Sequence, residues 1–177
     1  IGDTSAMAVN LEFASQYYDV ILTYDYENLN TPIPQIATHF KEELKKVGIM
    51  EGAGKTLDLV AHSMGGLVSR TFIESPDLRG DLLVRTLYML GTPNAGSAFS
   101  KIATYRDLAT AGMTFALNFK TFGAASLAQK ITGLSVTKSL TVTLEQMGVN
   151  SPFLRTLNNR AASQNVKYYV IAGDITN

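Results

Sequence analysis

A serine hydroxyl attacks a carbonyl only when it is exposed, rigidly held, and set beside a base and an anion-stabilising pocket. The run Val60-Ala61-His62-Ser63-Met64-Gly65-Gly66 suits a sharp turn that meets the first two conditions. Such a turn brings a strand and the following helix close together, so the residues two before and two after the serine must be small. Ala61 and Gly65 occupy those places, and Gly66 lets the next helix pack closely. A helix starting there aims backbone N–H groups at a developing oxyanion, and the N–H of Met64 is the expected first donor. The bland alternative makes Ser63 a simple helix cap in some other α/β protein.

The flanking elements decide how much that pattern means. Thr56–Ala61 reads as a strand and Gly66–Glu74 as a helix stopped near Pro76, so Ser63 falls on a strand-to-helix turn. Ile33–Val47 predicts a helix: Pro34 suits its first turn, Ile33, Ile36, Ala37, Phe40, Leu44 and Val47 form one stripe, and Gly48 follows the end. Asp19–Tyr24, Val84–Leu90 and Val166–Ala172 are β-rich runs, and Ser5–Gln16 carries helical spacing. Alternation at these intervals implies an α/β fold with a mainly parallel sheet and helices on both faces. Ligands gather at the carboxyl ends of such strands, where Ser63 lies.

From residue 98 to 147 no strand is expected. Small and apolar residues there (Ala109, Phe115, Leu117, Phe119, Phe122, Leu127) are interrupted by Lys101, Arg106, Lys120 and Lys130. Three readings stand: ordinary helices over the sheet, a helical lid over an acyl-binding cleft, or a lid that touches a membrane surface. The 177 residues, 46% of them hydrophobic, fit a single globular domain. Fifteen acidic side chains against fifteen basic give no electrostatic reason for a nucleic-acid partner, and no cysteine means no disulfide and no thiolate nucleophile. Neither a metal nor a cofactor is expected. Gly52-Ala53-Gly54-Lys55-Thr56 mimics the tail of a phosphate-binding loop, but Ile49 stands where its first glycine belongs, and a helix precedes and a strand follows.

Ala61-His62-Ser63-Met64-Gly65-Gly66-Leu67-Val68-Ser69-Arg70, followed by Leu90-Gly91-Thr92-Pro93-Asn94-Ala95-Gly96-Ser97, resembles the bacterial lipase/esterase branch of the α/β-hydrolase superfamily. Met147–Asn158 is similar to the segment that these proteins place before their next strand, and the chain also looks like lipase-like domains related to inositol-deacylase and triacylglycerol lipase groups. The resemblance implies hydrolysis of a small-molecule or lipid acyl ester, with His62, Thr92, Pro93 and Asn94 lining the site. It also implies an acid followed by a histidine, after Ser63 in the chain. Asp174, just past the last strand, is the candidate acid, or else a loop-stabilising turn residue.

The sequence departs from that pattern in one decisive respect. Its two histidines are His39 and His62, and neither follows Ser63. His62 should point away from the serine as a packing or hydrogen-bonding neighbour, and His39 should lie on a helix surface. The His-Gly oxyanion loop expected before the first helix is also missing. The expectation is a fragment of a longer enzyme, inactive by itself, whose base and second oxyanion donor lie outside this chain. A non-catalytic interaction or regulatory domain with the same fold is the other reading. No signal peptide is visible, which leans towards a cytoplasmic location.

Overall fold

The computed structural model describes residues 14–26, 31–97 and 141–172. The chain divides into two compact units, Ile1–Asp25 with Ile102–Thr137, and Tyr26–Lys101 with Lys138–Asn177. In the first, Tyr17 and Tyr18 both donate to the carbonyl of Ala14 at 3.0 Å, closing a helical turn. The run Asp19–Tyr24 that follows is not a strand. It is irregular and leaves Val20, Ile21 and Leu22 exposed. Their β-propensity reflects fit to a pleated, half-buried surface, and it builds no strand where that surface is lacking.

The second unit holds the sheet. Its order along the chain is α1 (Ile33–Lys46), β1 (Leu57–His62), α2 (Met64–Glu74), a 3₁₀ turn (Gly80–Leu82), β2 (Val84–Leu90), α3 (Thr141–Gln146), α4 (Pro152–Asn158) and β3 (Lys167–Ile171). The three strands pair in the order β1-β2-β3, all parallel, with Ala61 beside Met89 beside Val170, and His62 beside Leu90 beside Ile171. This is the α/β architecture expected from the alternation.

The predicted boundaries hold closely, and the deviations have local causes. β2 spans the expected residues, and α1 ends one residue early, leaving Val47 exposed. Gly48 there takes φ 74°, the left-handed region that a helix stop requires. α2 begins two residues before the expected start, because Met64 and Gly65 already belong to its first turn. The false phosphate loop is an exposed turn with both Gly52 and Gly54 at positive φ.

α2 is the hub of the core. It buries Leu67, Val68, Phe72 and Ile73, and Phe72 meets Phe40 of α1 edge-on with ring centroids 5.2 Å apart. Ile33, Ile36, Ala37 and Leu44 complete the α1 face, while Leu154 and Leu157 bring in α4. On the sheet, Ala61, Leu87 and Met89 are buried on the α2 side. The alternate positions face the other way: Val60 is 63% exposed, Tyr169 48% and Ile171 58%, and Tyr88 stacks on Tyr169 at 5.0 Å. One long-range polar contact ties the start of α1 to the end of α3, and one local contact caps α4. Gln146 Oε1 accepts the Ile33 N–H at 2.8 Å, and Ser151 caps α4 by accepting the Leu154 N–H at 3.1 Å. Among the described residues, no helix is long and apolar enough to cross a membrane.

Candidate functional site

Ser63 occupies the one-residue joint between β1 and α2, half-buried, with φ 51° and ψ −126°. That pair of angles mirrors the extended region and is normally left to glycine. Arg79 also has a positive φ, 53°, but its ψ of 35° lies in the ordinary left-handed well. A residue held as Ser63 is costs on the order of 1–3 kcal/mol, so the surrounding structure must enforce it. The Ser63 N–H donates to the Leu90 carbonyl at 2.9 Å, carrying the β1–β2 ladder one residue past the strand. Its carbonyl accepts from Gly66 at 3.1 Å, starting the helix. The hydroxyl makes no capping bond. A helix-cap serine would place its oxygen on the second or third N–H of the helix, so the cap reading does not describe this residue.

Small residues make the turn possible. A Cβ on Gly65 would touch the Ala61 Cβ at 3.8 Å and the Tyr26 hydroxyl at 3.4 Å. A Cβ on Gly66 would sit 2.8 Å from the Cβ of Thr92 and 2.6 Å from its methyl. Helix and the loop after β2 therefore meet at Gly66 with no room for a side chain, whereas a Cβ on Gly65 would make ordinary contact with β1. At the start of α2, the Met64 and Gly65 N–H groups have no carbonyl one turn back, and the helix dipole adds partial positive charge beside the serine.

The Gly91–Ser97 loop lies at the carboxyl end of β2 and is fixed at both ends. Gly91 donates to Ile171 at 2.9 Å and Ser97 to Met147 at 2.8 Å. Gly96, at φ 98°, passes so close to Val149 that a Cβ would lie 2.7 Å from its nitrogen. Thr92, Pro93 and Asn94 are half-buried in this loop. The Thr92 hydroxyl is buried with no hydrogen-bond partner. Asn94 is held by Arg70 and Asn158, an arrangement that sequence reasoning missed. A charged residue inside an otherwise apolar helix, with Glu74 four residues on, was the available signal.

His62 alternates with Ala61 on β1 and therefore belongs to the sheet face away from α2. Partial burial lowers its pKa below the ordinary histidine value, favouring the neutral ring. His39 is exposed on α1. Asp174 and residues 98–140 of the expected lid lie outside the described residues.

No curated protein matches the chain. Among solved structures it is similar to phospholipase PlaB from Legionella pneumophila in complex with thio-NAD, at 15% identity and a TM-score of 0.60 over 90% of this chain and 32% of that one. A second structure of the same phospholipase gives 16% identity and a TM-score of 0.59, covering 85% of this chain and 29% of that one. Bacillus licheniformis lipase BlEst2 in its mature form gives 18% and 0.49, with 81% and 49% covered. The chain thus spans about a third of the PlaB chain, and the likeness is one of fold, of the α/β-hydrolase kind. The family itself is shown by sequence: the model described as "Domain of unknown function (DUF7379)" matches residues 2–176, and the chain belongs to that family.

Proposed function

We propose that this chain is the nucleophile-bearing part of a serine hydrolase acting on acyl esters, lipid or small-molecule. The observation that carries the reading is the Ser63 backbone, forced to φ 51° and ψ −126° between β1 and α2 while its hydroxyl caps nothing. Strain of this kind persists where function requires it. Ser63 Oγ attacks the ester carbonyl, passes its proton to a base, and forms an acyl-enzyme as the alcohol leaves. Water then cleaves that intermediate and returns the hydroxyl. The Met64 N–H at the head of α2 stabilises the tetrahedral oxyanion. Ala61, Gly65 and Gly66 give the turn its space, and His62, Thr92, Pro93 and Asn94 line the site.

No histidine follows Ser63. We infer that the base is a histidine supplied from outside this sequence, oriented by Asp174 or by another carboxylate. The fold likeness to a phospholipase supports a lipid ester among the substrates.

A fluorophosphonate probe tests this on the 177-residue chain and on a longer protein that extends it beyond both ends. Ser63 labels in the longer protein, labelling is lost in Ser63→Ala, and short p-nitrophenyl esters are hydrolysed. A folded longer protein that neither labels nor hydrolyses sinks the enzyme reading and leaves a non-catalytic domain in its place.

A further inference from the structure

Arg70 lies about two turns into α2, on a helix otherwise made of apolar and small residues apart from Glu74 at its end. Its side chain is 13% exposed and that of Glu74 only 1%. Nε and Nη2 donate to the two Glu74 carboxylate oxygens at 2.9 and 3.1 Å. The remaining Nη1 donates to two amide oxygens, Asn94 Oδ1 at 3.0 Å and Asn158 Oδ1 at 2.8 Å. Asn158 closes the circuit by donating from Nδ2 to the Asn94 backbone carbonyl at 2.8 Å. One guanidinium therefore joins α2, the Gly91–Ser97 loop and the last residue of α4.

Stability alone does not account for this arrangement. A charge pair taken out of water is often no better than apolar residues of the same volume. What a planar guanidinium adds is direction, because its donors leave in fixed orientations and can hold several acceptors at set angles. Here the acceptors are a carboxylate on the helix itself and the asparagine two residues beyond Thr92. Thr92 in turn abuts Gly66, three residues after Ser63.

We infer that Arg70 is a positioning residue of the Ser63 site: through Asn94 it seats the Gly91–Ser97 loop as a fixed wall against the first turn of α2. This rests on reading Ser63 as the nucleophile, and it adds a residue whose effect on that site passes through the loop. Glu74 aims the guanidinium, and Asn158 locks the loop from the far side.

Hydrogen exchange followed by mass spectrometry tests the inference on the 177-residue chain. The Asn94, Gly96 and Ser97 amides are bonded within the loop or to Met147, so their exchange reports whether the loop is seated. In Arg70→Gln and Asn94→Ala those amides exchange about tenfold faster, the factor carried by one lost charge-assisted hydrogen bond, while β1 and β2 peptides are unchanged. Arg70→Lys keeps a charge for Glu74 but not the fork, and it restores less than half of the protection. Val68→Ala, a core truncation in the same helix, serves as a control for stability loss alone. The inference is overturned if loop exchange in Arg70→Gln matches the parent chain, or if Val68→Ala loosens the loop as much. Fluorophosphonate labelling of Ser63 in the longer protein should slow with the same Arg70 and Asn94 variants. If the parent itself does not label, the reading of Ser63 fails, while the exchange result still decides what Arg70 does.

Discussion

Replacing Gly66 with alanine puts a methyl group where the Thr92 side chain already lies, with its Cβ 2.8 Å from that of Thr92 and 2.6 Å from the Thr92 methyl. Carbon atoms prefer about 3.5–4.0 Å, so something must move by roughly 1 Å. Thr92 has little freedom to do so. It is β-branched, and its loop is tied at Gly91, Asn94 and Ser97. Overpacking of a tight core site costs about 1–3 kcal/mol, and the upper part of that range applies where the neighbour is anchored. Alanine recovers about 1 kcal/mol of helix propensity over glycine. The net expectation is a loss of about 1–2 kcal/mol, or roughly 2–8 °C in Tm for a chain of this size. Urea and thermal unfolding of four proteins measure it: parent, Gly66→Ala, Thr92→Ala and the double variant. Thr92→Ala removes the methyl and the unpartnered hydroxyl, so it costs little alone and recovers about half of the Gly66→Ala loss in the double variant. A neutral Gly66→Ala, or a cycle additive to within about 0.5 kcal/mol, would refute the close approach of α2 and the loop.

Further expectations concern the turn, the sheet and a helix cap. Ser63→Gly removes the backbone strain and should stabilise the fold by about 1 kcal/mol in urea while abolishing probe labelling; a destabilised variant would contradict the strain argument. The Tyr168 hydroxyl, raised to about 12 chiefly by burial and then by the Glu74 carboxylate, keeps its proton where an unfolded tyrosine loses it near 10. Stability from this group is therefore complete below pH 10 and lost as pH rises towards 12. Urea midpoints from pH 8 to 11.5 should fall less steeply for Tyr168→Phe than for the parent, and equal slopes would remove Tyr168 from the account. Ser151→Ala deletes a cap that accepts from Leu154 and donates to the Gln146 carbonyl at 2.6 Å, costing about 1–2 kcal/mol in chemical unfolding. A change under 0.3 kcal/mol there would mean that α4 does not depend on its cap.

Much of the architecture was legible because the signals were local. β2 has a polar turn before it and glycine after it, and α1 has proline at its start and glycine past its end, so boundaries could be read from neighbours in sequence. The sequence pattern starts α2 at Gly66, two residues late, because Gly65 is a poor helix former and tertiary packing overrides that propensity. Asp19–Tyr24 shows the opposite error: its strand-forming residues are in no strand among the described residues, because pairing is decided by neighbours that are not written beside them. Ser63 was found from a five-residue pattern whose meaning is steric and therefore local. The Arg70 cluster was missed because Asn94 and Asn158 lie 24 and 88 residues away from it in the chain. Only the fold brings them together.

The sheet face that carries Val60, Tyr88, Tyr169 and Ile171 has a consequence for how the molecule behaves among copies of itself. A chain with equal numbers of acidic and basic side chains has almost no long-range repulsion at neutral pH. Apolar side chains and strand edges then meet without an electrostatic barrier to keep them apart. The interaction between copies in dilute solution is accordingly expected to be attractive near pH 7, which light scattering would read as a negative second virial coefficient. It turns repulsive a few pH units to either side, where the same surface carries a net charge. Concentration and pH are therefore the two variables that such a measurement should scan.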